Sequence, residues 1–315
     1  MTPPKRHHYL PEMYLAGFTD DGTRDGKFYV YSRRSNSVAV QTPVNTGVIG
    51  YWYSIRMEDG SKNSSLEAWL SEMESRAAPG IDKLRLGGKA LSQDERLGVA
   101  QFIAFLWTRG PDLHHMMEDM DQALLEHGEG FASKFARSKP VVHRELSDSR
   151  PSVSLDELRS LTKNGRVKLP REKVIPVMLF LANGITNFVA MADWTIIRAP
   201  ECSSFVTTDC PVIAVPEVLP DRGFYPRAPL DFDVPKLVPI SSSAMLAIVG
   251  KSGGHGEKGI GQDKTRAYNV LLASRANDFV IARDEDHVRN IVARAHLAER
   301  GEKTRIWPPP DRTRS

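Results

Sequence analysis

The chain has 315 residues, 41% of them apolar and 26% charged, and carries a formal net charge of +3. With a mean hydropathy of −0.35 and a pI near 8.8, it has the composition of a soluble globular protein able to bury a large core, which excludes a mainly membrane-embedded or disordered chain. The small positive charge permits an anionic partner without requiring one. Cys202 and Cys210 form no CxxC pattern. A zinc site is therefore not expected, and the cytoplasm, the default location for a chain with no visible targeting segment, would keep both thiols reduced.

In chain order, the N-terminal stretch Lys5 to Phe18 places two adjacent histidines beside two fixed cations, then a proline, then a Tyr-Leu-x-x-Phe stripe. If it is extended, His7 and His8 must point to opposite faces. Residues 27–55 read as a β hairpin with a third segment, because aromatic and β-branched residues flank the turn chemistry of 33–37. Ser64-x-x-Glu67 and Ser92-x-x-Glu95 are capping-box patterns. The first opens an amphipathic helix expected to stop at Pro79, and the second a helix stopping near Gly110-Pro111. A further helix is expected over 111–126, and a loop over 128–151. Ser154-x-x-Glu157 caps a short helix that Asn164-Gly165 should end as a C-cap.

The apolar run 171–192 is expected to be the central core helix. Pro176, Asn183, Gly184 and Asn187 interrupt it, so it reads as buried and not as a membrane span. Beyond it, strands are expected at 194–198, 205–208, 212–215 and 245–249, with an irregular, proline-rich excursion at 216–239 and a glycine-rich loop at 250–261. A helix over 263–276, a strand over 278–282 and a helix over 284–300 close the fold. The Pro- and Arg-rich tail 301–315 is expected to be disordered. Helices and strands come in runs and do not alternate, which points to a single α+β domain over 1–300.

The opening Lys-Arg-His-His-Tyr-x-Pro-x-x-Tyr-Leu-x-x-Phe closely resembles the signature of the bacterial family called domain of unknown function 4238. The likeness continues through Leu66-Glu67, Glu74, Arg109, Trp194 and the Phe-Val-Thr-Thr-Asp-Cys-Pro-Val run at 205–212. It brings a family but no established activity.

Five constellations carry chemistry, each beside a plainer structural role. His7 or His8 with Asp209 joins imidazole to carboxylate, a usual way to hold a divalent metal; the plainer role is an Asx turn and structural hydrogen bonds. Arg109 and His114 have the Arg-x4-His spacing of helical ribonucleases, but Gly110-Pro111 breaks the helix between them. Gly254-x-Gly-x-x-Gly259 matches a dinucleotide fingerprint formally, yet does not directly join a strand to a helix. Glu67 and Glu74 lie two helical turns, roughly 10 Å, apart on one face. Lys5, Arg6, Tyr9, Lys27, Tyr29, Tyr31, Arg33 and Arg34 mix cations with aromatics as a nucleic-acid surface does, or form an exposed hairpin face.

Serine-nucleophile, HExxH, kinase and Walker patterns are absent, and no nucleotide cofactor is expected. The leading expectation is a metal-assisted phosphodiester hydrolase, a nuclease of a toxin or defence setting. His7, His8, Arg109 and Asp209 would be its catalytic residues. His8, Asp209 and Glu67 would hold Mg²⁺ or Mn²⁺, and Lys5, Arg6, Tyr9 and Thr208 would contact a nucleic-acid substrate. The alternative is a non-catalytic module binding nucleic acid or protein, in which the N-terminal signature fixes the fold.

Overall fold

The computed structural model describes residues 6–56, 62–63, 65–87, 90–127, 154–215 and 234–295. Lys5, Ser64, the expected loop at 128–151 and the tail at 301–315 lie outside them. The architecture is α+β: N-terminal strands, a central helical block, then mixed strands and helices. Strand β1 (Arg6–His8) pairs antiparallel with β4 (Val48–Gly50), and the hairpin β2 (Phe28–Ser32) and β3 (Ser37–Gln41) forms where the aromatic runs predicted it. Pleat alternation on β1 leaves Arg6 exposed and His7 buried, with His8 between. Helix α1 (Glu12–Leu15) follows Pro11 and buries Met13, Tyr14 and Leu15. At Gly47, with φ at +67°, an added Cβ would stand 2.7 Å from Leu10 Cβ. Glycine is therefore required where the Gly47 carbonyl accepts the Tyr9 N–H.

The short ribbon β5 (Ile55–Arg56) and β6 (Lys62–Asn63) leads into helix α2 (Ser65–Leu86). This helix runs through Pro79, where the sequence suggested a stop. A proline inside a helix costs about 3 kcal/mol, but Pro79 and neighbouring Ser75 are exposed, whereas Met73, Ala77, Ile81 and Leu84 are buried on both sides of the break. Packing holds the helix together where local propensity would end it. Helix α3 (Gln93–Thr108) begins at Ser92 with the complete capping box, and α4 (Pro111–His127) starts two residues after Arg109.

Helix α5 (Leu155–Ser160) is capped by Ser154. Asn164 and Gly165 both take positive φ and turn a small hairpin, β7 (Thr162–Lys163) to β8 (Arg166–Val167), instead of capping that helix. An Asn-Gly pair suits a tight hairpin turn as well as a C-cap, and the strands on either side decide.

Helix α6 (Arg171–Met191) packs on α3 and buries Val174, Met178, Ile185, Phe188 and Val189. Among the described residues it is the one helix long and apolar enough to cross a membrane, with 44% of its most apolar window buried inside the protein.

The larger sheet has the order β11 (Ile213–Ala214), β12 (Lys236–Pro239), β13 (Ala244–Val249), β9 (Asp193–Arg198), β14 (His255–Gly259). Two sequence expectations are corrected here. The end of the proline-rich segment is strand β12, its residues buried against β13. The glycine-rich loop expected at 250–261 instead holds parallel edge strand β14 beside β9, anchored where Asp193 accepts the Gly254 N–H.

The second sheet has the order β10 (Thr207–Thr208), β15 (Phe279–Ala282), β2, β3. Helices α7 (Gln262–Arg275) and α8 (Glu285–Arg294) cover it. The main core lies between the helices α2, α3 and α6 and the larger sheet, with α1 wedged in. The Tyr14 hydroxyl bonds Thr207 Oγ1 and donates to the Pro239 carbonyl, tying the N-terminus to both sheets.

Candidate functional site

The N-terminal signature and the end of α3 meet at Tyr53. Its backbone N–H donates to His7 Nδ1 at 2.8 Å, its ring stacks on the His7 imidazole at 5.7 Å, and its hydroxyl donates to the Arg109 carbonyl at 3.3 Å. Trp52 Nε1 donates to the same carbonyl at 2.8 Å. Because Nδ1 accepts, neutral His7 carries its proton on Nε2. The 3.8 Å approach of Glu67 Oε2 to Nδ1 is consequently not an ion pair. His7 is fully buried.

The Arg109 side chain is 1% exposed, yet it is held at one end only: Nη1 donates to Glu74 Oε1 at 2.6 Å. Its Nε and Nη2 are buried with no hydrogen-bond partner, as is Glu67 Oε2. Unsatisfied buried donors on a fixed cation are costly, by about 1–3 kcal/mol each or more. Burial pushes the Glu67 carboxyl up to about 7; Arg109 pulls it down and Glu74 pushes it up further. A carboxyl poised near neutrality beside a half-used guanidinium is what acid–base chemistry on an anion needs. Glu67 and Glu74 are the partly open members of the group, with side chains 22% and 23% exposed.

Arg109 also borders a cavity of about 20 Å³ shared with Trp52, His114 and Arg171, room for about one water molecule. Arg171 lies over the Trp52 ring at 3.4 Å. His114 Nε2 meets the Leu169 carbonyl at 2.9 Å, and burial lowers its pKa. Arg109 and His114 thus line one cavity from either side of the Gly110-Pro111 corner.

Asp209 sits in a second cluster on the other side of that corner. Its carboxylate accepts backbone N–H groups from Asn277, Asp278 and Phe279. Burial and then Asp112 push its pKa up to about 8, against the downward pull of the Asp278 and Phe279 N–H groups. The Cys210 thiol and the Asn277 amide both donate to Asp112. Thr208 Oγ1 accepts the Cys210 N–H, so this turn is built on the threonine, not on an Asx turn at Asp209. Tyr9 lies against the cluster. Burial first, then Asp209, Cys210, Asp278 and Asp112, raise its phenol well above the usual value. Cys202 and Cys210 are both free thiols.

Of the residues expected from the sequence, the structure brings His7 to Glu67 and Tyr9 to Asp209, and it sets Arg109 on Glu74. His8 turns away: its Nε2 lies 3.2 Å from the Val44 carbonyl and 3.5 Å from Glu12. Arg6 donates to Val44 and Asn45. The contacts of His8, Glu67 and Asp209 are thus made with three different sets of neighbours. Among the described residues no group of three or more His, Cys, Asp or Glu side chains is arranged to hold a metal ion. The Nδ1 of His7, engaged by an N–H donor, is not open to coordination. Trp52, Tyr53 and Asp112 were not singled out as site residues. The aromatic cluster 51–53 was visible in the sequence, but nothing local ties it to a residue 56 positions away.

A family model described as a protein of unknown function (DUF4238) matches residues 6–286. No curated protein and no solved structure matches the chain.

Proposed function

This chain belongs to the DUF4238 family of proteins of unknown function, and from the geometry at Arg109 we propose that it is a phosphodiester hydrolase acting on nucleic acid in the bacterial cytoplasm, in a toxin or defence role. What supports the reading is the half-used guanidinium of Arg109: one N–H set is on Glu74, and Nε and Nη2 are buried without a partner. A carboxylate held by one end stands where a phosphate would be held by two, and bidentate anions bind arginine more strongly. Substrate phosphate would displace Glu74 and take up the spare donors. Glu67, half-ionised near pH 7, would accept a proton from water as the water oxygen bonds to phosphorus. The P–O bond to the leaving oxygen breaks, and Glu67 returns the proton to that oxygen. His7 and Tyr53 act as positioning residues for Glu67 and Arg109.

The test is cleavage of mixed RNA and DNA with added Mg²⁺ or Mn²⁺, and with chelator, by wild type, Glu67→Gln and Arg109→Lys. Loss of about 10²-fold or more in either variant, with unchanged melting, is expected. For wild type, kcat/KM should rise with pH through about 7. A rate that the chelator leaves intact shows that cleavage runs on Glu67 and Arg109 without added metal, and a rate lost with chelator shows that the sequence expectation of a divalent metal holds. A second reading, a binding module, is favoured by the complete burial of His7, which suits a fold-fixing residue. Absence of cleavage in every protein and condition supports that reading.

A further inference from the structure

A cleft of about 490 Å³ lies beyond the Arg109 corner, between the β1–β4 ribbon and the β2–β3 hairpin. Its volume falls in the range of small-ligand sites, and its lining mixes rings and aliphatic side chains with a few polar groups, as such sites do. Tyr9, Val30, Ile49 and Phe279 supply the apolar and aromatic surface, and Arg34 and Asp278 supply one charge of each sign. Those two charges do not pair with each other, and neither side chain makes an ion pair or hydrogen bond among the described residues. Three other polar lining groups are engaged as acceptors: the Gln41 carbonyl oxygen from Thr46, the Asn45 carbonyl oxygen from Arg6, and Ser32 Oγ from the Ser35 N–H. Asp278 is fixed by its backbone, whose N–H donates to Asp209 at 2.8 Å and whose carbonyl accepts the Arg33 N–H. The carboxylate is thus presented on a rigid support.

A cleft offering aromatic surface, one positioned carboxylate and one unpaired guanidinium fits a flat ring with adjacent N–H donors that is joined to an anion. We infer that this cleft binds a guanine nucleotide, the N1–H and N2 amino edge of the base on Asp278, the ring against Tyr9 and Phe279, and the phosphate on Arg34. The choice of a nucleotide over other ligands of this pattern rests on the proposed action on nucleic acid. Guanine is selected because its two neighbouring N–H groups match the two oxygens of one carboxylate, whereas adenine offers no N–H at N1. The cleft is lined by Pro111 and Tyr9, which lie two residues along the chain from Arg109 and from His7.

Equilibrium binding of GMP, AMP and guanosine to the full chain tests this. GMP is expected to bind about tenfold or more tighter than AMP. Asp278→Asn should erase that preference, and Arg34→Ala should weaken GMP about tenfold while leaving guanosine unchanged. Asparagine keeps the shape at 278 and Arg34 is exposed, so unchanged melting of both variants checks that the fold persists. Equal affinity for GMP and AMP, or a preference that survives Asp278→Asn, overturns the inference. Cleavage assayed on the same proteins separates the two ideas: hydrolysis without GMP binding removes the subsite and leaves the hydrolase, and GMP binding without hydrolysis does the reverse.

Discussion

Half-buried Arg85 and buried Arg109 both stand near helix ends, and they are used in opposite ways. Every nitrogen of the Arg85 guanidinium is engaged. Nε donates to the Ile240 carbonyl, Nη2 to the carbonyls of Met13 and Tyr14, and Nη1 to Asp82. It staples α2 to α1 and to the turn after β12. Arg109 has one bond, to a carboxylate that is partly open to solvent, and two idle nitrogens. A cation whose donors are all matched to backbone carbonyls acts as architecture. One left short of partners among packed apolar residues is held there by the surrounding fold and keeps bonding capacity for something else.

The sharpest break of this comparison is Arg85→Met. Removing the guanidinium strands three carbonyls, at 13, 14 and 240, and should cost about 3–5 kcal/mol, read as a fall in denaturant midpoint at constant m. A cost below about 1 kcal/mol would show that the two arginines do not differ as described.

Next in size is a pH effect centred on Glu67. Its carboxyl titrates near 7 in the folded chain against 4.5 when unperturbed, so the native state holds the proton more tightly. That contribution is fully present below about 4.5 and is lost as pH rises through about 7, at a slope of up to about 1 kcal/mol per pH unit. Asp209, also raised, has the same sign over a window reaching about 8. The measurement is therefore the difference between wild type and Glu67→Gln, whose stability should fall less over this range. Parallel curves would mean that Glu67 is an ordinary solvated carboxylate.

Arg109→Met should change stability by only about 1 kcal/mol in either direction, since it removes two unsatisfied donors along with one ion pair. Smallest of all is Tyr53→Phe. The Arg109 carbonyl keeps the shorter bond from Trp52 when the 3.3 Å bond is lost, so a cost of about 0.5 kcal/mol is expected by thermal melting. If Arg109→Met proves as damaging as Arg85→Met, Arg109 is architecture too, and the binding-module reading gains.

Much of the fold was legible locally. The capping box at Ser92, the Ser154 helix cap, the hairpin around 33–37 and the apolar helix after Pro170 all follow from spacings within one element, and all are present. The misreadings share a cause. Pro79, the Asn164-Gly165 pair and Gly254–Gly259 each carry a local signal that a neighbour overrides: the core beneath α2, the β7–β8 pairing and the open edge of β9. The candidate site was legible as a list of residues and not as an arrangement. Pleating made certain that one of His7 and His8 would face inward, but only the packing of Tyr53 selected His7.

The sequence by itself determined the class of fold, most element positions and the family, because helix caps, strand alternation and turn residues act over a few positions along the chain. Tertiary structure alone decided which buried charges are satisfied. Besides nearby Asp82, the partners of Arg85 lie at 13, 14 and 240, and that of Arg109 at 74. Whether a donor finds an acceptor depends on which distant segments the core brings beside it, a distance that no local pattern encodes.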